Sequence, residues 1–293
     1  MRQAIFTLLC AGVLSFGTSA VAQSTISDDT FEVSGGVGLW GAFLPDYELG
    51  ENADGGVAFQ DDLDDLGYIT QLKAVRRFLG TRTSFEADVF YASADSVSNS
   101  EVIDVDVPNP QNGASNPGIG QAPRLNSEAN HYGYNLTLRD TWRTRFGGLS
   151  AGCAFSYMRL DQNFDVDYGG THWLNEDLDS KFRGGKGFVG WDGVFAGRQS
   201  NLDLLFGFYD MDVDYTFNGE SIAGSLNQEF SKTIGTIETR FTTRTAIRSY
   251  LVGWTIGATY FTDLPTIEHN VLSPVSIGTD DAVTLTGMVE ILL

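Results

Sequence analysis

The sequence is short of cysteine, histidine and basic residues. Its 293 residues include two cysteines and three histidines. Cys10 lies in a segment that we predict to be removed, so Cys153 alone remains in the mature chain, which excludes an internal disulfide and a zinc site of the CxxC type. The chain has 18 lysines and arginines against 38 aspartates and glutamates, a net charge of −20. This charge argues against a nucleic-acid partner, because phosphates need a basic surface.

Long hydrophobic runs are scarce as well. The one clear apolar run covers residues 4–16, after the positive charge of Arg2 and before the small-residue motif Ala20-Val21-Ala22. It is shorter than the roughly 20 apolar residues of a transmembrane helix, and its flanks are those of a secretory signal peptide. We therefore predict a cleaved signal peptide over residues 1–22 and a single mature domain over residues 23–293.

The mature sequence is rich in alternation of apolar and polar residues, the period of a β-strand with two different faces. In the clearest segment, 132–146, Leu136, Leu138 and Trp142 fall on one face and Arg139 falls on the other. Similar strands are predicted at 31–43, 83–93, 201–209, 249–260 and 283–293, and weaker ones at 68–79, 149–160, 182–196 and 231–242.

Short and long connections alternate between these segments. Short turns are predicted at 80–82, 147–148, 197–199 and 243–246, and long loops at about 44–66, 97–130, 161–180, 210–230 and 263–281. Most acids fall in the long loops, whereas many arginines lie near the short turns. This arrangement predicts an all-β fold, a transmembrane antiparallel up-and-down β-barrel of about ten strands (eight to twelve), with short periplasmic turns and long external loops.

The alternation also assigns side chains to the two faces of the barrel. Aromatic residues at the ends of the apolar face predict a girdle at the lipid–water boundaries, formed by Tyr132, Tyr134, Trp142, Tyr250, Trp254 and Tyr260. Asp140 falls on this lipid face, so we expect it near the lower boundary or at a bulge. The charges expected in the lumen are Glu32, Glu86, Asp88, Arg139, Arg143, Arg145, Asp203, Glu238, Arg240 and Glu290. A lumen of about ten strands is narrow, so these charges either pair and fill it or line a narrow ion path.

The signal peptide, the alternation and the terminal strand from Val283 to Leu293 resemble those of the outer-membrane β-barrel (porin-like surface protein) superfamily. The resemblance is architectural and covers the mature chain. It implies a multi-pass protein of the Gram-negative outer membrane, surrounded by lipid and lipopolysaccharide and folded by the barrel assembly machinery. The sequence departs from the common pattern at its end, because Ile291-Leu292-Leu293 stands where an aromatic residue is usual.

Motifs for chemistry are few. The omptin family of barrel proteases has an Asp-x-His pair, and none of His131, His172 and His269 has an aspartate two residues before it. We therefore expect no enzymatic activity and no cofactor. The acid-rich segment 46–65 suits weak association with Ca²⁺ or Mg²⁺, although it lacks EF-hand spacing.

These features predict function only coarsely. We expect a small, largely plugged or narrowly conducting barrel with an envelope-structural or solute-passage role. The alternative is a surface-recognition or adhesin-type barrel that binds through its long acidic loops, above all 97–130. An outer-membrane enzyme with a site at the rim is the least favoured interpretation.

Overall fold

The structure is a computed structural model. It describes residues 31–51, 57–61, 64–78, 80–99, 106–109, 111, 115–117, 122–219, 224–248, 250–269 and 274–292. The predicted signal peptide, residues 1–22, lies outside these ranges. In order, the strands are β1 (Phe31–Phe43), β2 (Tyr47–Glu51), β3 (Val57–Asp61), β4 (Asp64–Arg77), β5 (Thr83–Asn99), β6 (Asp106–Pro108), β7 (Ser115–Pro117), β8 (Pro123–Thr144), β9 (Gly147–Tyr168), β10 (Thr171–Phe195), β11 (Arg198–Gly219), β12 (Gly224–Ile247), β13 (Tyr250–Glu268) and β14 (Ser276–Leu292). Within the described ranges, no helix is long and apolar enough to cross a membrane.

Ten of these strands form a closed antiparallel ring in the order β1, β4, β5, β8, β9, β10, β11, β12, β13 and β14. The last strand pairs with the first, from Ser34↔Leu292 to Phe43↔Val283. The predicted transmembrane up-and-down barrel of about ten strands is therefore confirmed. The short strand β2 pairs with β3 and β6, and in parallel with the upper end of β13.

The register of the ring sets the tilt of its strands. Followed from Tyr132 through β9, β10 and β11, the register reaches Ser231 of β12. Followed the other way, through β5, β4, β1, β14 and β13, it reaches Thr243 of the same strand. The two end points are 12 residues apart. With ten strands at ordinary strand spacings, this stagger corresponds to a tilt of about 40° from the barrel axis.

The half of the barrel that carries the short turns has an apolar outer face, and we call it the membrane band. On β8 this band runs from Tyr132 to Trp142, about ten residues, which is the length of a transmembrane strand. Leu136 and Leu138 point outward and are exposed, whereas Asn135 points inward and is buried. Apolar side chains are thus exposed to lipid, and polar side chains face the lumen.

Beyond the membrane band the pattern is reversed, in what we call the extramembrane half. On β8, Arg124 and Glu128 are exposed, whereas Leu125 and Ala129 are buried in the lumen. The inward residues of β9 to β11 form one apolar core with the upper ends of the other strands. The extramembrane half therefore has the apolar interior and polar exterior of a water-soluble protein.

The prediction of long loops is wrong for three segments. Most of 161–180, 210–230 and 263–281 continues the strands of the ring, and β9 and β10 are joined by Gly169 and Gly170, both with positive φ. The predicted turn at 243–246 is also wrong, since these residues belong to β12. The acids of these segments alternate along extramembrane strands whose outer face is in water, so their charge marks a water-exposed strand face and not a loop.

The membrane band and the extramembrane half should respond differently to the same substitution. Val89 and Val97 both point outward from β5 and are 51% and 53% exposed, but Val89 lies in the membrane band. We expect Val89→Arg to lower the free energy of unfolding by about 2–4 kcal/mol, because it places a charge in the hydrocarbon. The matched Val97→Arg should change it by less than about 0.5 kcal/mol. Denaturant unfolding in lipid vesicles measures both, and equal losses would contradict the boundary.

Candidate functional site

The lumen of the membrane band is crossed by an ion-pair network. Glu86 is held between Lys73, at 2.7 Å, and the Nε of Arg139, at 2.8 Å. Two guanidinium nitrogens of Arg139 donate to the two carboxylate oxygens of Asp203, at 2.9 and 2.7 Å. The arginine lies 4.5 Å from the ring centre of Phe188. Because β4, β5, β8 and β11 supply these charges, the network spans the barrel.

A second set of charges completes this layer. Lys186 lies 2.8 Å from Glu238, which also accepts from Arg240 at 2.6 Å. Asn135 donates to Asp88 at 2.8 Å. Between the two sets lies a cavity of about 20 Å³, room for about one water molecule. Lys186, Glu238 and Arg240 thus have close partners of opposite sign, as burial in a narrow lumen requires, whereas Asp88 accepts from the side-chain amides of Asn135 and Gln71.

The other expected lumen charges lie nearer the turns. Glu32 is 3.4 Å from Arg77, and Glu290 accepts from Thr255 at 2.6 Å. Arg143 is exposed at the rim. Arg145 does not face the lumen, because it lies in the turn after β8, with its guanidinium 4.6 Å from the ring centre of Phe146.

Lys73 and Lys186 belong to the network but were not among the predicted residues. Both lie on strands that the sequence indicated only weakly, so the face of each side chain was not assigned from alternation. Leu72 and Val189 lie on the same two strands and are exposed to lipid. If the inward–outward alternation of each strand is counted from these residues, both lysines fall on the inward face.

The expected girdle residues all occupy outward positions. Tyr132, Tyr134 and Tyr260 lie on the side of the membrane band next to the extramembrane half, and Trp142, Tyr250 and Trp254 lie towards the turns. Asp140 also points outward, close to the turns, where it accepts from Thr83 at 2.6 Å. A partnered carboxylate near the boundary costs less than one in the middle of the membrane.

The mouth of the extramembrane half is covered by residues 44–49, which we call the cap. Leu44, Tyr47 and Leu49 of the cap are almost completely buried. The cap is tied to β13, because Thr266 donates to the carbonyl of Asp46 at 2.8 Å and Glu48 pairs with Glu268. Part of the predicted first loop thus closes the barrel.

Beneath the cap lies a buried polar group that we call the capped cluster. The carboxylate of Glu176 accepts from the hydroxyls of Tyr47 and Tyr215, both at 2.5 Å, and lies 2.9 Å from Nε2 of His269. The side chains of Glu176 and His269 have no exposure to solvent. Nδ1 of His269 is 2.9 Å from the carbonyl of Glu48. Both ring nitrogens thus face acceptors, which is the bonding of a charged imidazolium.

The electrostatics of the capped cluster agree with this protonation state. Burial alone would raise the pKa of Glu176, but the charge of His269 and the three donors hold it below the usual 4.5. Burial alone would lower the pKa of His269, but Glu176 and the carbonyl of Glu48 hold it above the usual 6.5. Burial and the Glu176 charge raise the pKa of Tyr47 well above its usual range. The cluster is therefore an ion pair with neutral phenols at neutral pH.

The remaining histidines lie apart from this cluster. His131 packs among aromatic rings, 5.0 Å from Phe90 and 5.9 Å from Trp40 between ring centres. His172 lies beside the β9–β10 turn, 3.2 Å from Asp167. No set of three His, Cys, Asp or Glu side chains in the described part of the chain can hold a metal ion.

The barrel has the fold of the outer-membrane β-barrels. The outer membrane protease OmpT from Escherichia coli has a similar structure, with a TM-score of 0.51 and 10% identity over 92% of this chain and 97% of that chain. The ferric yersiniabactin uptake receptor FyuA from Yersinia pestis matches 90% of this chain and 52% of its own, with a TM-score of 0.29 and 10% identity. No protein family and no curated protein matches the sequence.

The comparison with OmpT corrects one prediction. We expected no enzymatic activity because the sequence lacks an Asp-x-His pair, but a solved structure that shares the fold over 97% of its length is a protease. That expectation is contradicted, since the scaffold is one on which catalysis occurs. The likeness, at 10% identity, extends to the fold alone.

The ion-pair network should govern the stability of the barrel. Glu238→Gln leaves both Lys186 and Arg240 without their carboxylate, so we expect it to lower the free energy of unfolding by about 3 kcal/mol or more. Lys186→Met should cost less, because Glu238 keeps Arg240 as its partner. Denaturant unfolding in vesicles tests this order, and a smaller effect of Glu238→Gln than of Lys186→Met would contradict it.

The capped cluster should give the cap a pH optimum. The contribution of His269 is complete below pH 6.5 and is lost as the pH rises through its raised pKa. The contribution of Glu176 is complete above pH 4.5 and is lost as the pH falls through its lowered pKa. We therefore expect hydrogen-exchange protection of residues 44–49, corrected for intrinsic rates, to be greatest between these values. In His269→Gln the loss of protection at alkaline pH should disappear, and a loss that persists would show that His269 does not cause it.

Proposed function

We propose that this chain is a surface protein of the outer membrane, closed to solutes, whose extramembrane half is the functional end. The observation that carries the proposal is that side chains fill the lumen at two heights. Paired charges fill the membrane band, and an apolar core under the cap fills the extramembrane half. This supports the plugged form of the predicted barrel over the narrowly conducting one.

The small size of two cavities between the lumen side chains supports closure. Two cavities of about 10 and 20 Å³ lie in the lumen, the smaller beside Trp40 and His131 and the larger within the ion-pair network. A space of this size holds a single water molecule, whereas diffusion pores are built from roughly 16–18 strands. An ion would have to displace paired charges to pass.

The exterior of the extramembrane half supports a role in surface recognition. A row of acids runs across four neighbouring strands at the same register, namely Asp161, Asp179, Asp214 and Glu229. Arg159 and Lys181 neutralise part of it. The remaining negative field favours cationic partners and weak association with divalent cations.

We also propose that lipid and lipopolysaccharide surround the membrane band and that the barrel assembly machinery inserts it. Tyr132 and Tyr134 mark the lipid boundary nearest the extramembrane half, where aromatic rings are favoured. Arg159, Lys181 and Arg183 lie on the outer face close to this boundary, where anionic head groups would meet them.

Closure predicts silence in planar bilayers. We expect the wild-type barrel to give no unitary conductance. Its folding and insertion are verified by a gel band from the same vesicles whose mobility changes when the sample is boiled. Arg139→Ala with Lys186→Ala opens the membrane band and leaves the cap, whereas Tyr47→Ala with Leu49→Ala loosens the cap and leaves the network. Each pair should stay silent, and the combination of both should conduct. Steady unitary steps from the wild type would overturn the proposal.

Hydrolysis is a second candidate function. The capped cluster favours it, because a carboxylate that orients an imidazole is the arrangement of a general acid–base pair. With the cap released, Glu176 would hold the ring of His269, which in its neutral form takes a proton from an attacking water. The likeness in fold to a protease makes peptides the first substrates to examine.

The test of this second candidate is turnover of a peptide library by the folded barrel. Glu176→Gln and His269→Gln should each lower the rate by about 100-fold or more, the usual contribution of acid–base catalysis. His172→Gln, a histidine outside the cluster, should leave the rate unchanged. Turnover that survives both changes, or that His172→Gln also removes, would assign hydrolysis elsewhere.

A further inference from the structure

Tyr47 is held in the capped cluster as a bound aromatic ligand would be held. Its ring stacks on Phe164, with ring centres 4.7 Å apart and planes 20° apart, and meets the ring of His269 edge-on at 5.5 Å. Its hydroxyl donates to Glu176 at 2.5 Å. Two aromatic surfaces and one acceptor therefore define the position of a single phenol. The acceptor is kept in place from other elements, by Tyr215 and His269.

Polar atoms without partners lie around this position. The hydroxyl of Ser127 and the Oε1 of Gln162 are buried and make no hydrogen bond. Ser127 is the cross-strand neighbour of Phe164 on β9, and Gln162 lies two residues from Phe164 on the same inward face. A buried polar atom without a partner costs free energy, and a polar ligand in the capped cluster would supply the partner that each of these two atoms lacks.

The cap has far fewer backbone pairs with the ring than the ring strands have with one another. β2 meets β13 through one residue pair and meets β6 through one residue pair, whereas the strands of the ring pair along most of their length. Within the described residues, no ladder joins β12 to β13 above Thr236↔Phe261. That seam is crossed by side-chain contacts, such as Lys232 with Asp263 at 2.7 Å and the amide of Gly235 with Thr262 at 3.0 Å.

We propose that the capped cluster is a binding site for a phenolic group from outside the chain, such as a tyrosyl side chain, and that Tyr47 is its resident occupant. The incoming phenol donates to Glu176 and lies between Phe164 and His269, after the cap has moved away beside the seam. The cap is thus a competitor that belongs to the same chain. The apparent affinity for the incoming phenol is the intrinsic affinity multiplied by the fraction of time that the cap is open. This inference goes beyond the closed surface barrel proposed above, and it holds whether or not hydrolysis occurs.

The probe for this site is N-acetyl-tyrosinamide, compared with N-acetyl-phenylalaninamide, which lacks the hydroxyl. Binding is measured by equilibrium dialysis against the folded barrel in detergent. All variants carry Cys153→Ala to remove the native thiol. Glu48→Cys with Glu268→Cys places two thiols at the one pair that joins β2 to β13, where neighbouring strands bring Cα atoms within disulfide range. Oxidation locks the cap, and reduction of the same sample releases it.

The site predicts a distinct result for each form. The tyrosine probe should bind the reduced form, and its affinity should fall at least tenfold on oxidation. It should also bind the reduced form more tightly than the phenylalanine probe does. Tyr47→Phe should strengthen binding of the tyrosine probe about tenfold, since the resident ring loses a hydrogen bond to a charged group. Tyr68→Phe, on the outer face, is the matched control and should change nothing.

Three outcomes would overturn the proposal. Equal binding before and after oxidation would place the probe outside the capped cluster. Equal affinity for the two probes would remove the role of Glu176 as acceptor. No binding even to Tyr47→Phe would show that the cap is a fixed part of the barrel. Because oxidation and reduction use one folded sample, a defect in folding cannot imitate the first result, and the boiling-sensitive gel band of Tyr47→Phe verifies its folding for the third.

Discussion

The structure depends on one constraint, which is that every backbone N–H and C=O in the membrane must be paired within the protein. A sheet satisfies this only when its edges meet, and here they meet along β1 and β14. Closing ten strands with a stagger of 12 residues fixes the tilt and with it a narrow lumen. Polar side chains that face such a lumen are withdrawn from water. Groups such as Glu86, Lys73 and Arg139 therefore remain charged there only because they pair with groups of opposite charge. The ion-pair network is thus a consequence of closure.

The same strands pass through two solvents, and this explains the reversal of their pattern. Near Tyr132 the surroundings of the outer face change from lipid to water, and the apolar side chains of β8 change from the outer to the inner face. Leu136 and Leu138 are exposed below this level, and Leu125 is buried above it. The backbone ladder continues without regard to the change, because its pairing is the same in both solvents. The upper barrel can therefore hold an apolar core beneath a water-facing exterior.

Alternation was sufficient to predict the barrel, its ten strands and the lipid face of the best strand, because a period of two is a local property of the backbone. It could not distinguish an extramembrane strand from an acidic loop. Asp165-Val166-Asp167-Tyr168 alternates as well as any membrane segment, but its polar residues occupy the outer face. The capped cluster was beyond local reasoning altogether. Tyr47 and Glu176 are 129 residues apart and Glu176 and His269 are 93 apart, and only ring closure and the fold of the cap bring them together.

The burial of Glu176 and His269 is difficult to explain by stability alone. A buried ion pair contributes little to stability compared with apolar side chains of the same volume, because desolvation of both charges offsets their attraction. The surrounding core, with Phe164, Leu174 and Phe217 fully or nearly fully buried, could have been completed by such side chains. The pair is covered by a segment that has one backbone pair with the ring, whereas the charges of the membrane band lie among strands that are paired on both sides. Charges placed under a loosely held cap are suited to a partner that replaces the cap, and this distinguishes the capped cluster from the structural network below it.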